Sequence, residues 1–318
     1  MADLSTSRTA NPEVAYLGPA GTFTESAVDL MTTIARPIKK PMDSVMDVIS
    51  SIESGASEYG VVPIENSVEG EVTSTLDYLI FNTESVLIQE EAVVPVTFNA
   101  FRRAEFAGNP ITTVASHPHA LAQCKNFIQE NGLAVMHTAS TAAACQLVAT
   151  TSDKGLVALG SPNAGPLYQI EVVAEKVEDN SDARTRFILL GRELFSEREH
   201  TKSTFVVSVP NTGVGILARC LTAFADRGIS LNSISSRPLR SSLGTYAFVL
   251  NLQGHIFDSA LQSAINELLD FGVAVKFLGS YREWTGKGVT APFESRPLGS
   301  IDLTTPASNI FRQYLEKR

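Results

Sequence analysis

The stretch NSDARTRF, Asn180 to Phe187, sets Thr185 between Arg184 and Arg186, after the acidic run VEDNSD and before the apolar run FILLG. Two guanidiniums beside one hydroxyl describe an anion site with a hydrogen-bond donor in it, because arginine presents a rigid fork that fits a carboxylate. Phe187 and the apolar residues after it read as strand packing. A second polar cluster lies in EYGVVPIENSVEGEV, where Glu65, Asn66 and Ser67 directly follow a strand-like run. There Glu65 either orients a neighbouring hydroxyl or pairs with a surface lysine, and spacing alone favours neither.

Three more turns bring hydroxyls to the start of helix-like patterns: Thr22 with Thr24, Ser116, and Ser140 with Thr141. The unpaired N–H groups and positive dipole end of a helix start bind anions. Taken singly, each hydroxyl is an N-cap worth about 1 kcal/mol to its helix. Three on one sheet edge, together with Arg184 and Arg186, describe a cleft for a small carboxylate. His117 stands between Ser116 and Pro118 and reads as a first-turn residue.

The elements that must position these residues follow one pattern over the first two thirds of the chain. A short apolar run, a turn and a helix-like stretch recur in VAYLGPAGTFTESAVDLM, TTVASHPHALAQCKNFIQ and AVMHTASTAAACQLVAT, with a looser instance at GLVALGSPNAGPLY. Alternating strands and helices predict an α/β layer with parallel pairing. The run SVLIQEEAVVPVTFNAF, 85–101, is too long for one ordinary strand and is expected to cross between two subdomains near 90–100, with a return near 172–184. After the charged connector GRELFSEREHTK the pattern becomes βαββαβ, a ferredoxin-like unit. The expected boundaries are 13–195 for the first domain, 202–284 for the second and 285–318 for a tail rich in Gly, Pro and Ser.

Composition narrows the function. The chain has 318 residues, long enough for two domains, with 44% hydrophobic and 19% charged residues, as in ordinary globular proteins. A net charge of -9 with no basic patch argues against nucleic acid as a partner, while a local field in a pocket can still hold a small anion. The three cysteines lack CxxC spacing and the five histidines lack HxxxH, so the reading is buried thiols in a reducing compartment and no metal. The first residues carry no apolar signal core and no run of about 18 apolar residues follows, so the expected location is cytoplasmic with no membrane partner.

Taken in order, YLGPAGTFTESA, VVPIENSVEG, SHPHALAQC, STAAA and TRF, followed by a small βαββαβ unit carrying GIL and SRP, resemble the prephenate dehydratase family from about Val14 to Trp284. The resemblance implies a periplasmic-binding-protein-like catalytic domain of two α/β subdomains, followed by a ferredoxin-like ACT regulatory domain. It implies a cofactor-free lyase that removes CO2 and water from prephenate, giving phenylpyruvate for phenylalanine biosynthesis. Thr185 would then donate a hydrogen bond to the departing oxygen, with Glu65, Asn66 and Ser67 as its catalytic neighbours and Glu65 as the one candidate general acid. The same likeness implies substrate binding by Thr22, Phe23, Ser116, His117, Ser140, Thr141, Arg186 and Phe187. Phenylalanine would bind as feedback effector to Gly215, Ile216 and Leu217 of NTGVGIL, which also contains Gly213. Leu231, Asn232, Ser236, Arg237 and Pro238 would complete that site at a subunit interface of a homodimer or homotetramer.

The chain departs from the family at Ser235, where a glutamate is usual, and at Asp182 and Ala183, where many members carry an asparagine. Two other functions fit the same residues. Arogenate dehydratase runs the same elimination on the amino analogue, and a two-lobed binding protein would hold a carboxylate without reacting.

Overall fold

The computed structural model describes residues 11–197, 199, 201–208, 214–239 and 246–286. Gly213 and all of the 285–318 tail beyond Gly286 lie outside them. In the first lobe, strands Glu13–Leu17, Ile38–Met42 and Tyr59–Asn66 run parallel, with Glu13–Leu17 in the middle. Val14, Ala15 and Tyr16 are all buried because both faces of this sheet are covered. Helix Phe23–Leu30 covers one face, packing Ala27 and Val28 onto Val14, Val61, Phe187 and Leu189. The opposite face takes helix Val45–Glu53, whose Val45, Val48, Ile49 and Ile52 recur at helical spacing and meet Ile64, Ile188 and Leu190.

The second lobe is a five-stranded sheet in the order Glu171–Ala174, Asn99–Arg102, Leu156–Gly160, Thr113–Ser116, Ala134–His137. Its last three strands are parallel, as the repeated unit predicts, and the first two are antiparallel additions. Between the lobes, Leu87–Pro95 leads out and Arg184–Gly191 returns between it and Tyr59–Asn66, antiparallel to both. The sheet is therefore mixed where the alternating pattern suggested parallel pairing throughout, because a chain that leaves a lobe and comes back must run both ways. Val94 and Phe187 belong to the first lobe's core, whereas Val96, Phe98 and Ala183 belong to the second's. The Val96 N–H donates to Ala183 O at 2.8 Å. The Ala183–Thr185 stretch links the two cores, and residues 172–174, at the start of the 172–184 segment, lie in Glu171–Ala174, an edge strand of the second lobe.

Strands Thr201–Ser208, Leu231–Pro238, Tyr246–Gln253 and Ala274–Arg282 with helices Ile216–Ala225 and Ser259–Asp270 form the βαββαβ unit. Its two helices cover one face of its sheet. Val206, Val249 and Leu278 on the other face pack against Leu76, Leu79 and Ile80 of helix Thr73–Phe81 in the first lobe. The last strand runs on beside Leu87–Pro95, placing Arg282 opposite Glu90, so this sheet and the first lobe's are continuous. Gly279, at φ +137°, lies so close to the Ile88 backbone that a Cβ would collide with it. Lys276 Nζ donates to the carbonyls of Leu79, Ile80 and Thr83 at 2.7, 2.9 and 2.5 Å, a cation on the negative end of helix Thr73–Phe81. Among the described residues no helix is long and apolar enough to cross a membrane.

Candidate active site

The Thr185 side chain sits where the chain passes between lobes, 8% exposed. It is held from one side. Asn66, its partner in the antiparallel register, donates from Nδ2 to Thr185 Oγ1 at 2.9 Å. The direction of that bond is settled by the rest of the amide: Asn66 Oδ1 accepts from the N–H groups of Val68 at 2.8 Å and Glu69 at 3.1 Å, so its NH2 must face Thr185. Among the described residues no acceptor takes the proton of the Thr185 hydroxyl. A hydroxyl fixed through its oxygen, with its hydrogen uncommitted, is a donor waiting for an acceptor.

A β-bulge decides which residue of the PIENS run meets Thr185. Phe187 faces Pro63, but Arg186 faces Glu65 because Ile64 is the extra residue. Without that insertion Glu65 would stand opposite Thr185; with it, Asn66 does. Ser67 closes the strand end, its N–H donating to Arg184 O at 2.8 Å and its Oγ accepting from Arg184 N at 2.9 Å.

Strand alternation sends Arg186 to the other face. Arg186 Nη2 lies 3.0 Å from Glu65 Oε2 and Nη1 lies 3.1 Å from Glu91 Oε2, beside Tyr281 and Thr204 of the βαββαβ unit. Glu91 is buried, and its second oxygen meets Lys202 Nζ and the Trp284 N–H, each at 3.0 Å. Burial alone would raise the Glu91 carboxyl, yet Arg186 and Lys202 together hold it below the ordinary carboxylate value. Burial likewise opposes the Arg186 charge, but Tyr281, Glu91 and Glu65 outweigh it and raise its pKa. Arg186, expected to hold a substrate carboxylate beside Thr185, has its guanidinium against two carboxylates of the protein and joins this sheet to that of the βαββαβ unit. Glu65, the expected general-acid candidate, lies on the Arg186 side as its ion-pair partner.

Other expected residues divide in the same way. Phe187, expected among the substrate contacts, is 2% exposed and packs within the first lobe's core. Ser116 is fully buried, and its Oγ donates to Leu159 O at 2.8 Å, joining two strands. The N-cap position there belongs to His117, because Pro118 occupies the first helical position; His117 Nδ1 accepts from the His119 N–H at 3.3 Å. Burial and neighbouring His119 lower the His117 pKa, with Glu69 opposing. Thr22 caps helix Phe23–Leu30, accepting from Glu25 N at 3.4 Å, and Ser140 caps helix Thr141–Thr150, accepting from Ala143 N at 2.9 Å. Phe23 touches both lobes' cores and meets Phe98 edge to face at 5.5 Å between ring centroids. The lobes are further joined by Ser161 Oγ to Gly21 O at 2.6 Å and Tyr168 OH to Ala20 O at 2.8 Å.

A prephenate dehydratase family model matches residues 14–194, and an ACT domain model matches residues 203–270. The chain belongs to the prephenate dehydratase family. It is 35% identical to a prephenate dehydratase of Amycolatopsis methanolica over 87% of this chain and 90% of that one, and 33% identical to one of Lactococcus lactis over 87% and 100%. Among solved structures, a prephenate dehydratase from Arthrobacter aurescens in complex with L-Phe superposes with a TM-score of 0.77 at 31% identity, covering 96% of this chain and all of that one.

In the ACT domain, Gly215 takes φ +84° at the start of helix Ile216–Ala225, a conformation suited to glycine, and Ile216 and Leu217 follow in the first turn. Strand Leu231–Pro238 forms the sheet's free edge, where Pro238 is tolerated and a register shift leaves Asn232 without a partner residue in the pairing; Ser236 faces Phe248. Arg237, expected at the effector site, is ion-paired with Asp77. Its Nε and Nη2 donate to Asp77 Oδ1 of helix Thr73–Phe81 at 3.0 and 2.8 Å, so its guanidinium is already bound across the domain contact.

Sequence reasoning passed over Glu91 and Lys202. Two adjacent carboxylates inside the apolar run SVLIQEEAVV were the available signal, since a carboxylate in a buried strand requires cations.

Proposed function

We propose that the chain is a prephenate dehydratase that converts prephenate to phenylpyruvate for phenylalanine biosynthesis and responds to phenylalanine through its ACT domain. In the reaction the electron pair of the breaking bond to CO2 enters the ring as the ring C–O bond breaks, and the departing hydroxide gains a proton to leave as water. Aromatisation supplies the driving force. What remains for the protein is to hold two carboxylates and meet charge growing on one oxygen.

The single observation that supports this reading is the state of Thr185, an acceptor toward Asn66 with its own hydrogen uncommitted. Threonine is too weak an acid to give up its proton outright. It acts by a hydrogen bond that strengthens as the oxygen becomes anionic, a contribution of about 2.7 to 4 kcal/mol for one donor of this kind. With Arg186 engaged elsewhere, the carboxylates fall to the first N–H groups of the helices capped by Thr22 and Ser140, which have no intrahelical partners. Asn66 is the positioning residue, Ser67 holds the strand end on which Thr185 lies, and Phe23 shapes the junction.

Feedback by phenylalanine requires an effector that favours one arrangement of the domains, with coupling typically about 1 to 3 kcal/mol. The Arg237 to Asp77 pair joins the regulatory edge strand to helix Thr73–Phe81, which follows the Asn66 turn. The testing experiment follows aromatic product from prephenate and, separately, from arogenate, with and without phenylalanine. Turnover of prephenate that phenylalanine suppresses is the expected result. Turnover of arogenate alone would reassign the substrate, and binding of prephenate without product would leave a carboxylate-binding protein.

A further inference from the structure

We infer that Glu69 is a positioning residue for the Thr185 and Asn66 pair, set in place from the opposite lobe by His119 and Gln123. The inference rests on Thr185 being the donor to the departing oxygen. Glu69 lies in the turn between strands Tyr59–Asn66 and Gly70–Glu71 of the first lobe. Its backbone N–H is one of the two that hold Asn66 Oδ1 and so aim the Asn66 amide at Thr185. Its carboxylate reaches across the cleft: Oε2 lies 2.6 Å from His119 Nδ1, and Oε1 accepts from Gln123 Nε2 at 3.4 Å. In the second lobe His119 lies in helix Pro118–Ala122 and Gln123 is the C-cap of that helix, its carbonyl accepting from the Asp179 N–H at 2.7 Å.

One residue therefore carries two bonds with different jobs. Its side chain senses where the second lobe is, and its main chain fixes the amide that fixes the hydroxyl. The His119 and Glu69 side chains are 64% and 38% exposed, and an exposed pair of this kind adds little to folding stability. Such a contact forms and breaks readily, which suits a lobe that must open to admit substrate and release product.

If closure sets the pair, loss of the contact slows the chemical step without weakening substrate binding to match. Glu69→Ala and His119→Ala should each lower kcat about tenfold with KM within about twofold, and the double variant should be no slower than either, as expected for two residues sharing one interaction. Glu69→Gln keeps an acceptor for His119 and should recover most of the rate. A second readout needs no turnover: His119→Ala should speed amide hydrogen exchange at Val68 and Glu69, in the other lobe. Multiplicative losses in the double variant, or wild-type kcat with unchanged exchange at that turn, would overturn the inference. Thr185→Val separates the two levels. Full activity of that variant would defeat the underlying reading, whereas its inactivity beside normal Glu69 and His119 variants would defeat this inference alone.

Discussion

The two faces of strand Arg184–Gly191 carry residues of similar promise and opposite condition. On one face Thr185 offers a hydrogen with no protein acceptor among the described residues. On the other, Arg186 has Glu65 and Glu91, and Glu91 has Lys202 and the Trp284 N–H. The charged face is ion-paired, with Arg186 Nε alone of that guanidinium lacking a partner among the described residues, and the neutral face is left open. A fixed charge is thus poor evidence of a binding site until its partners are known, because a buried charge must be compensated before it can be spared for a ligand.

The comparison breaks most visibly at Thr185. Thr185→Val keeps the shape and removes the donor, so kcat should fall about 10²- to 10³-fold while KM moves little, measured by steady-state kinetics on prephenate. Arg186→Leu should do the reverse. It leaves Glu91 with Lys202 as its one cation and the Trp284 N–H, and should cost about 3 kcal/mol of stability, read by denaturant unfolding, with KM near wild type in the folded enzyme. A large rise in KM at native stability would move Arg186 back to the substrate.

Glu91 sharpens the same contrast through pH. Its folded pKa lies below the ordinary value, so the stability it contributes is complete above the unfolded carboxylate pKa and is lost as pH falls through the depressed folded one. Melting temperature should therefore drop on acidification in the wild type, and Glu91→Gln should flatten that part of the profile. The smallest effect belongs to Glu65→Gln, which removes the charge of a half-exposed partner: stability within about 1 kcal/mol and kcat within about twofold.

These residues also show what the sequence could and could not say. The two-lobed α/β domain, the crossing run after Ser85 and the βαββαβ unit were legible because hydrophobic periodicity follows burial. Thr185 was legible as the odd residue between two arginines, though the reason for its interest lies elsewhere. The bulge at Ile64 was not legible, since one inserted residue exchanges Asn66 for Glu65 opposite Thr185 and leaves no mark in composition or spacing. Ser116 was one residue off as a cap because Pro118 takes the first helical position and hands the cap to His117. Arg186 misled because its partners Glu65 and Glu91 are 121 and 95 residues away, and proximity in the chain pointed to Thr185 instead.

The most direct test is a crystal structure of the wild-type protein with a ring-reduced analogue of prephenate that keeps both carboxylates and the ring hydroxyl but cannot aromatise. The account predicts Thr185 Oγ1 within hydrogen-bond distance of that hydroxyl oxygen, about 2.7 to 2.8 Å, with Asn66 still bonded to Thr185 and Arg186 still on Glu91. An analogue whose hydroxyl lies out of reach of Thr185, or whose carboxylate has drawn Arg186 from Glu91, would contradict it.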